Sequence, residues 1–221
     1  MVNRLQENEA LIVDLDGTLI SRNSFTLFVK WLGRTFVSRR RYKALMQLCR
    51  YVAERKMRLI SHARCKQLII DLAQRYMSET ETDAFGESLS AYLRPQVMEI
   101  VKEARGEGRV CVLATAAPEI YAKAFGRKVG MDCCIATCRG EKECKGDEKL
   151  RRINDLLRER GLKLWGVITD HHDDLPLMRV AGIKRWLVSP SAETVKKMRE
   201  KDVDFAILRI KEMKFKYLSC I

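Results

Sequence analysis

Acidic residues stand at two places in this chain where an apolar segment ends. Asp14 and Asp16 follow the run ALIV, and Asp170 and Asp174 follow the run LWGVIT. Carboxylates are poor strand formers and are costly to desolvate, so a site that gathers them must have a use for negative charge. A hard divalent cation such as Mg²⁺ relieves the repulsion between carboxylates and binds them together with phosphate oxygens. The pattern therefore indicates a metal site suited to phosphate chemistry.

Groups that could bind a phosphate follow a third apolar run, VCVLA. Once a metal is present, a carboxylate can attack phosphorus as a nucleophile. The transfer then needs positive charge and hydrogen-bond donors around the phosphoryl oxygens. Thr115 offers a hydroxyl, while the amide of Ala116 and the helix predicted to begin at Pro118 offer N–H groups.

A lysine is expected to complete this site, and the segment ECKGDEKLRRI offers Lys145 and Lys149. Lys149 lies four residues before Ile153 on a predicted amphipathic helix, hence on the inward side of its first turn. This geometry favours Lys149. Lys145 precedes the helix, and from that loop it could also reach the phosphate.

Strands and helices alternate through most of the chain. The predicted strands are 10–15, 109–114, 133–137, 164–169, 184–188 and 204–208, and the predicted helices between them are 96–105, 118–128, 147–160 and 174–181. This alternation is typical of an α/β protein with a doubly wound parallel sheet. Ligands of such sheets bind outside the carboxyl ends of the strands, which is where the three clusters lie.

Residues 24–93 contain no convincing strand and instead show helical spacing of apolar residues. The predicted helices are 25–32, 42–52, 62–76 and 83–93, and a break is expected between Arg94 and Pro95. We therefore predict an α/β core formed by 1–20 and 95–210, an all-α subdomain inserted at 21–94, and a basic C-terminal tail at 211–221.

Positive charge is concentrated in the inserted segment. The net charge of the chain is +13, and residues 22–75 hold fourteen Lys and Arg but only two acidic residues. Such a patch fits an anionic small substrate, an anionic membrane surface or nucleic acid, although a solvated helix face would look the same. Aromatic residues are sparse in the patch, which favours the solvated face. Nucleic acid is not an expected partner.

The segment RRRYKALMQLCRYVAERKMRLI is too interrupted by charge to span a membrane, but it could lie on an anionic surface as a basic amphipathic helix. No apolar run approaches the ~18 residues of a transmembrane helix, and the N-terminus has no signal-peptide pattern. The eight cysteines include no C-x-x-C pair. We expect reduced thiols and a soluble, cytoplasmic protein.

Four motifs, taken in order, resemble the haloacid dehalogenase superfamily of phosphatases. They are D-x-D-G-T at 14–18, Thr115, a lysine near the start of a helix, and D-x-x-x-D at 170–174. The phosphoserine-phosphatase-like branch, which inserts a helical cap directly after the first motif, is the most similar. The segments DLDGTLISRNSF, ATAAPEIY, CKGDEKLRRI and DHHDDLPLM look like a bacterial subgroup that includes phosphatidylglycerophosphate phosphatases. The resemblance covers roughly 10–190 and implies a Rossmann-like core with residues 21–94 as the cap.

The resemblance also implies roles for the acidic residues. Asp14 would be the nucleophile and a Mg²⁺ ligand. Asp16 would be the general acid and base, and its backbone carbonyl would also bind the metal. Asp170 would complete the metal site, and Asp174 would orient its water or the lysine. Asp173 departs from the pattern, because many members have asparagine at that position.

The remaining roles concern the substrate. Thr115 would bind the transferring phosphate, and Lys149, matched through its spacing from Gly146, would neutralise it. In this branch the cap selects the substrate. Arg22 follows the first motif closely enough to face the crevice, so it could bind a second anionic group such as a carboxylate or another phosphate.

These expectations combine into a Mg²⁺-dependent phosphomonoesterase that hydrolyses a small anionic phosphate ester through an aspartyl-phosphate intermediate. Two alternatives stay open. One is a phosphatase of an anionic lipid head group at a membrane surface, and the other is a phosphotransferase that uses an alcohol instead of water. A non-catalytic basic binding protein is less favoured, because every position that the chemistry needs is filled. The sequence specifies neither the substrate nor the oligomeric state.

Overall fold

Six parallel strands form one sheet in the part of the chain that the computed structural model describes, residues 8–210. The strands are β1 (Glu9–Val13), β2 (Val110–Pro118), β3 (Cys133–Thr137), β4 (Lys163–Thr169), β5 (Lys184–Val188) and β6 (Ala206–Leu208). Their order is β3-β2-β1-β4-β5-β6. The predictions for the N-terminal seven residues and for the tail at 211–221 lie outside the described residues.

The register of β1 brings the ends of three strands to one level. Val13 is opposite Leu113 on β2 and Ile168 on β4. The chain moves outward from β1 to β3 and then returns to start β4 on the other side of β1. The order of strands therefore reverses between β1 and β4, and the carboxyl ends of strands beside such a reversal form a ligand crevice.

Only helices occupy the chain between β1 and β2. They are α1 (Ser24–Ser38), α2 (Tyr42–Lys56), α3 (His62–Tyr76), α4 (Glu79–Ser88) and α5 (Pro95–Gly106), with a 3₁₀ turn at Leu89–Tyr92. Polar residues begin several of them. Asn23 caps α1, Ser61 caps α3, and Ser78 forms a capping box with Glu81 on α4.

Helices cover both faces of the sheet, as a doubly wound fold requires. The later helices are α6 (Glu119–Lys128), α7 (Asp147–Glu159), α8 (Leu175–Met178) and α9 (Ala192–Arg199). Apolar residues of α5 and α6 belong to the core on one face, and those of α7, α8 and α9 belong to the core on the other. The predicted α/β, doubly wound parallel sheet is confirmed.

The inserted helices pack on the face of the sheet that α6 covers. Phe28 of α1 and Phe85 of α4 contact Tyr121 of α6, with ring centroids 4.9 and 5.2 Å apart. Gly86 allows α4 to approach closely, since a Cβ there would lie 2.3 Å from the carbonyl oxygen of Tyr121. The insertion and the sheet thus share one apolar core, and the boundary between cap and core stays a prediction.

Several elements differ from their predicted bounds, and two of these differences have a clear structural reason. The helix expected at 174–181 is a 3₁₀ turn at His172–Asp174 followed by the four residues of α8. Pro176 has no N–H to donate, so it fits only the first turn of this helix. The strand expected at 109–114 continues to Pro118, because it meets β3 again beyond an irregularity after Ala114. Within residues 8–210, no helix combines the length and the apolar character that crossing a bilayer would take.

Candidate active site

A cavity of about 470 Å³ opens at the carboxyl ends of β1, β2 and β4. The strand ends supply the acidic and hydroxyl groups of its floor, and α7 supplies a lysine. Every residue predicted for the site except Arg22 lines this cavity: Asp14, Asp16, Thr115, Ala116, Lys145, Lys149, Asp170 and Asp174.

Lys149 lies at the centre of the acidic groups. Its Nζ donates to Asp14 Oδ1 at 2.8 Å and to Asp174 Oδ2 at 2.9 Å. Thr169, the last residue of β4, donates its hydroxyl to the same oxygen of Asp174 at 2.7 Å. Lys149 is only 3% exposed, because it occupies the inward side of the first turn of α7. The structure therefore places Lys149, and not Lys145, between the two carboxylates.

The turn after β1 brings the first and third acidic clusters together. The Thr18 hydroxyl lies 3.4 Å from Asp14 Oδ2 and 3.3 Å from Asp170 Oδ1. Gly17 has a φ of +77°, and a Cβ at this position would lie 2.1 Å from Asp170 Oδ2. Only glycine satisfies both the backbone conformation and this close approach.

Asp16 joins the strand end to the inserted helices. Its Oδ1 accepts a hydrogen bond of 2.7 Å from the backbone N–H of Ser24, the first residue of α1. The Ser24 hydroxyl in turn lies 3.1 Å from the hydroxyl of Tyr121 on α6. The side chain of Asp16 is thus held at the edge of the cavity by the start of the cap.

Burial shifts the titration of this site. It raises the pKa of Asp14 to about 7 and that of Asp170 to about 6, and it also raises the pKa of Asp16. Burial alone would lower the pKa of Lys149, but the charges of Asp14 and Asp174 outweigh it and raise that pKa. Two other lysines that line the cavity pair with further acidic residues, Lys66 with Glu143 and Lys145 with Asp173. When the acidic side chains are ionised, the site therefore keeps an excess of negative charge.

The donor set fits a hard divalent cation. Asp14, Asp16 and Asp170 present carboxylate oxygens to one cavity, and Mg²⁺ prefers such ligands. The raised pKa values of these residues indicate that the side chains around them do not fully compensate their charge. A cation bound there would supply the missing positive charge.

The phosphate-binding residues predicted on β2 also reach the cavity. Thr115 is buried, and its Oγ1 accepts the backbone N–H of Ala117 at 3.0 Å, so its hydroxyl proton is free to point elsewhere. The carbonyl oxygen of Ala116 accepts the hydroxyl of Thr137 at 2.8 Å. The next helix, α6, begins at Glu119, one residue after Pro118.

Lys145 and Arg22 occupy more peripheral positions. Lys145 lines the cavity but is half-exposed, and its Nζ pairs with Asp173 at 2.8 Å. Arg22 is exposed and does not line the cavity. The structure does not bring Arg22 to the site, and its predicted contact with a substrate has no geometric support.

Comparison with known proteins identifies the family. Residues 11–179 match the sequence model of the haloacid dehalogenase-like hydrolases. The chain belongs to this family. The matched span reaches from the apolar run before Asp14 to beyond Asp174, so it contains all four motifs and confirms the predicted family.

Individual relatives of this hydrolase are distant. Protein CicA of Caulobacter vibrioides is 25% identical over 196 residues, which cover 82% of this chain and 87% of CicA. A protein of unknown function from Bordetella pertussis Tohama I is 19% identical with a TM-score of 0.74, over 91% of this chain and 99% of that one. A phosphoserine phosphatase, captured as an analogue of its phospho-aspartyl intermediate, is 14% identical with a TM-score of 0.55, over 92% and 94%. At these identities the structural similarity shows the fold.

The hydrolase also places residues in the cavity that our sequence analysis did not predict. Helix α3 contributes His62 and Lys66, and α1 contributes Phe25. Lys66 is 4% exposed, and its Nζ donates to the carbonyl oxygen of Ala116 at 3.0 Å and pairs with Glu143. This ion pair connects the inserted helices to the loop before α7.

The sequence does contain a signal for Lys66. Its side chain is buried on the same side of α3 as Ile69, Ile70 and Ala73, with the i, i+3, i+4, i+7 spacing of an apolar face. A lysine on such a face needs a buried partner. The identity of that partner, Glu143, is set by tertiary structure and has no local signal.

Proposed function

We propose that this hydrolase is a Mg²⁺-dependent phosphomonoesterase, which cleaves a small anionic phosphate ester through an aspartyl-phosphate intermediate on Asp14. The observation that carries the proposal is the position of Lys149, which bridges Asp14 and Asp174 beside two further carboxylates in an open cavity. The fold shared with a phosphoserine phosphatase is in keeping with this assignment.

In the first half-reaction, an oxygen of Asp14 attacks phosphorus and the bond from phosphorus to the substrate oxygen breaks. Asp16 gives its proton to the departing alkoxide. The raised pKa of Asp16 supports this role, because burial favours the protonated carboxyl that an acid catalyst requires. Lys149 and Thr115 stabilise the charge on the phosphoryl oxygens.

In the second half-reaction, water attacks the phosphorus of the aspartyl-phosphate. Asp16, now deprotonated, accepts a proton from this water while the bond between phosphorus and Asp14 breaks. Inorganic phosphate is released and Asp14 is regenerated. Asp174, which accepts hydrogen bonds from Thr169 and Lys149, keeps the ammonium in place throughout.

The metal would be held by the carboxylates of Asp14 and Asp170 and by the backbone carbonyl of Asp16. Mg²⁺ bound there supplies positive charge that offsets the repulsion between the phosphate and the carboxylates. The proposed substrate is a small phosphate ester. We also propose that the protein is cytoplasmic, and this part of the proposal is based on the sequence alone.

Turnover of p-nitrophenyl phosphate tests this proposal. We expect hydrolysis in MgCl₂, no hydrolysis in EDTA, and loss of activity to background in Asp14→Asn. The matched control is Asp155→Asn, which changes a half-exposed aspartate of α7 that lies outside the cavity and is expected to retain full activity. Turnover that survives in EDTA or in Asp14→Asn would contradict the mechanism. Transfer of phosphate to an added alcohol in preference to water would indicate a phosphotransferase.

A further inference from the structure

The outward face of α2 carries an apolar stripe. It consists of Tyr42, Met46, Cys49, Ala53 and Met57, all of which are exposed. At 100° per residue these positions fall within a sector of about 80°. The three large side chains are far from buried, with Tyr42 58%, Met46 71% and Met57 62% exposed. We call these five residues the α2 stripe.

The packing of the described chain does not use the α2 stripe. Helix α2 contacts its neighbours through the opposite side, where Ala44 and Leu48 are buried. Two further exposed apolar residues flank α2 in the sequence, Val37 at the end of α1 and Leu59 after α2. Large apolar side chains that are exposed together on one helix face mark an interaction site.

The surroundings of the α2 stripe are strongly basic. Residues 30–64 contain eleven Lys and Arg and a single acidic residue, Glu54. The carboxylate of Glu54 accepts a hydrogen bond of 2.7 Å from Arg50 and offsets that one charge, so residues 30–64 keep a net charge of +10. On the helical wheel, Lys43 and Arg50 flank one side of the stripe, and Lys56 flanks the other.

We propose that the α2 stripe docks on an anionic phospholipid surface. An interfacial helix buries its apolar face at the boundary of head groups and acyl chains, and its flanking lysines and arginines meet the anionic head groups. The fifteen residues of α2 give a contact about 22 Å long. This inference rests on the surface alone and does not depend on the proposed catalytic activity.

Charge separates this partner from the other occupants of the surface. A second copy of the chain would bring one strongly basic surface against another, and the repulsion would oppose association. Nucleic acid would satisfy the basic residues but would offer nothing apolar to cover Tyr42, Met46 and Met57. An anionic bilayer would both cover the apolar side chains and bind the basic residues beside them.

Vesicle flotation of the whole chain tests the proposal. We expect the protein to float with vesicles of phosphatidylcholine and phosphatidylglycerol at low salt, but not with phosphatidylcholine alone. The decisive variant is Tyr42→Ser/Met46→Gln/Met57→Gln, which keeps every charge and is expected to reduce the bound fraction at least tenfold. Since these side chains are exposed, the variant should fold normally, which its circular dichroism and thermal midpoint will verify. Its conservative counterpart Tyr42→Trp/Met46→Leu/Met57→Leu should bind as the wild type does.

The basic flanks are tested separately. Lys43→Gln/Arg50→Gln/Lys56→Gln should weaken binding by roughly fivefold for each charge removed. The matched control is Arg158→Gln/Lys196→Gln/Lys201→Gln, which removes one exposed charge from α7, one from α9 and one just after α9. This control should bind like the wild type.

Three results would overturn the proposal. The first is an apolar variant that floats as well as the wild type. The second is equal weakening by the basic-flank variant and by its control, which would mean that net charge alone drives binding. The third is a self-associating wild type that the apolar variant converts to a monomer, which would assign the α2 stripe to a second copy.

Discussion

Lys149 lies between two carboxylates, and its removal would leave the buried Asp174 and the largely buried Asp14 without their shared partner. Breaking a buried ion pair from one side costs about 3–5 kcal/mol, since the remaining charge is desolvated and uncompensated. The same ammonium is the nearest cation to the proposed nucleophile. Stability and catalysis therefore depend on one side chain.

We predict that Lys149→Gln lowers the free energy of unfolding by about 3–5 kcal/mol and the turnover rate by about 10²–10³-fold. Urea denaturation and p-nitrophenyl phosphate hydrolysis measure the two effects. Lys145→Gln is the matched control, because Lys145 belongs to the same segment but its pair with Asp173 is half-exposed. That variant should lose less than about 1 kcal/mol. Equal losses of stability in the two variants would contradict the conclusion that Lys149 is the essential partner of Asp14 and Asp174.

Among the structural elements, the turn after β1 carries the tightest steric requirement at the site. Gly17 combines a positive φ with the approach of Asp170 Oδ2 to within 2.1 Å of where a Cβ would be. Gly182 has nearly the same φ, +74°, but no atom within 4 Å of its Cβ position. The two glycines separate the cost of the backbone conformation from the cost of displacing Asp170.

We predict that Gly17→Ala weakens Mg²⁺ binding, because the new methyl group pushes the carboxylate of Asp170 away from Asp14. In both Gly17→Ala and Gly182→Ala, the left-handed backbone conformation should cost about 1–2 kcal/mol of stability. Gly17→Ala should lose additional stability because the methyl group also displaces Asp170. Only Gly17→Ala should show a reduced affinity in calorimetric titration with Mg²⁺. Unchanged Mg²⁺ affinity in Gly17→Ala would show that Asp170 is not a ligand.

Most of the fold could be predicted from the sequence because its elements have strong local signals. The apolar runs that form β1, β2 and β4 are followed by acidic or hydroxyl residues that could take part in catalysis. The carboxyl ends of parallel strands lie at one edge of the sheet, so these residues are expected to lie close together. Lys149 could be selected over Lys145 because helical spacing from Ile153 assigns it to the inward side of α7.

The cap side of the site could not be predicted in the same way. Lys66 reaches Ala116 and Glu143 because α3 lies over the strand ends, and this position depends on packing between the cap and the sheet. The close contact of Gly86 with Tyr121 is part of that packing, and it joins residues 35 positions apart. Contacts of this kind have no signature in the local pattern of apolar and polar residues.

In the molecule as a whole, the exterior of the cap is positively charged, whereas the cavity is rich in carboxylates. The chain has a net charge of +13, yet six carboxylates line its cavity against three lysines. The basic exterior of the cap would attract anionic esters or surfaces, while the acidic interior requires a cation before an anion can enter. Metal binding, folding stability and pH are therefore coupled.

We predict that Mg²⁺ stabilises the protein much more at about pH 8 than at about pH 5. Without metal, the folded state holds Asp14 and Asp170 at pKa values of about 7 and 6, above the ordinary value of 3.8. At pH values between the ordinary and the raised pKa values, the folded state binds more protons than the unfolded state. The stability of the metal-free protein therefore falls as the pH rises from about 4 to about 7. Each proton contributes a slope of at most about 1.4 kcal/mol per pH unit. Mg²⁺ replaces these protons, so its effect grows as they dissociate.

Thermal midpoints in EDTA and in MgCl₂, measured across this pH range, give the size of the effect. NaCl of equal ionic strength is the necessary control, because screening alone stabilises a chain that carries this net charge. In Asp14→Asn/Asp170→Asn both titrating groups are absent, so the Mg²⁺ shift and its pH dependence should disappear together. A Mg²⁺ shift of the same size at both ends of the range would mean that the metal binds elsewhere, because no protons would then leave these two carboxylates on binding.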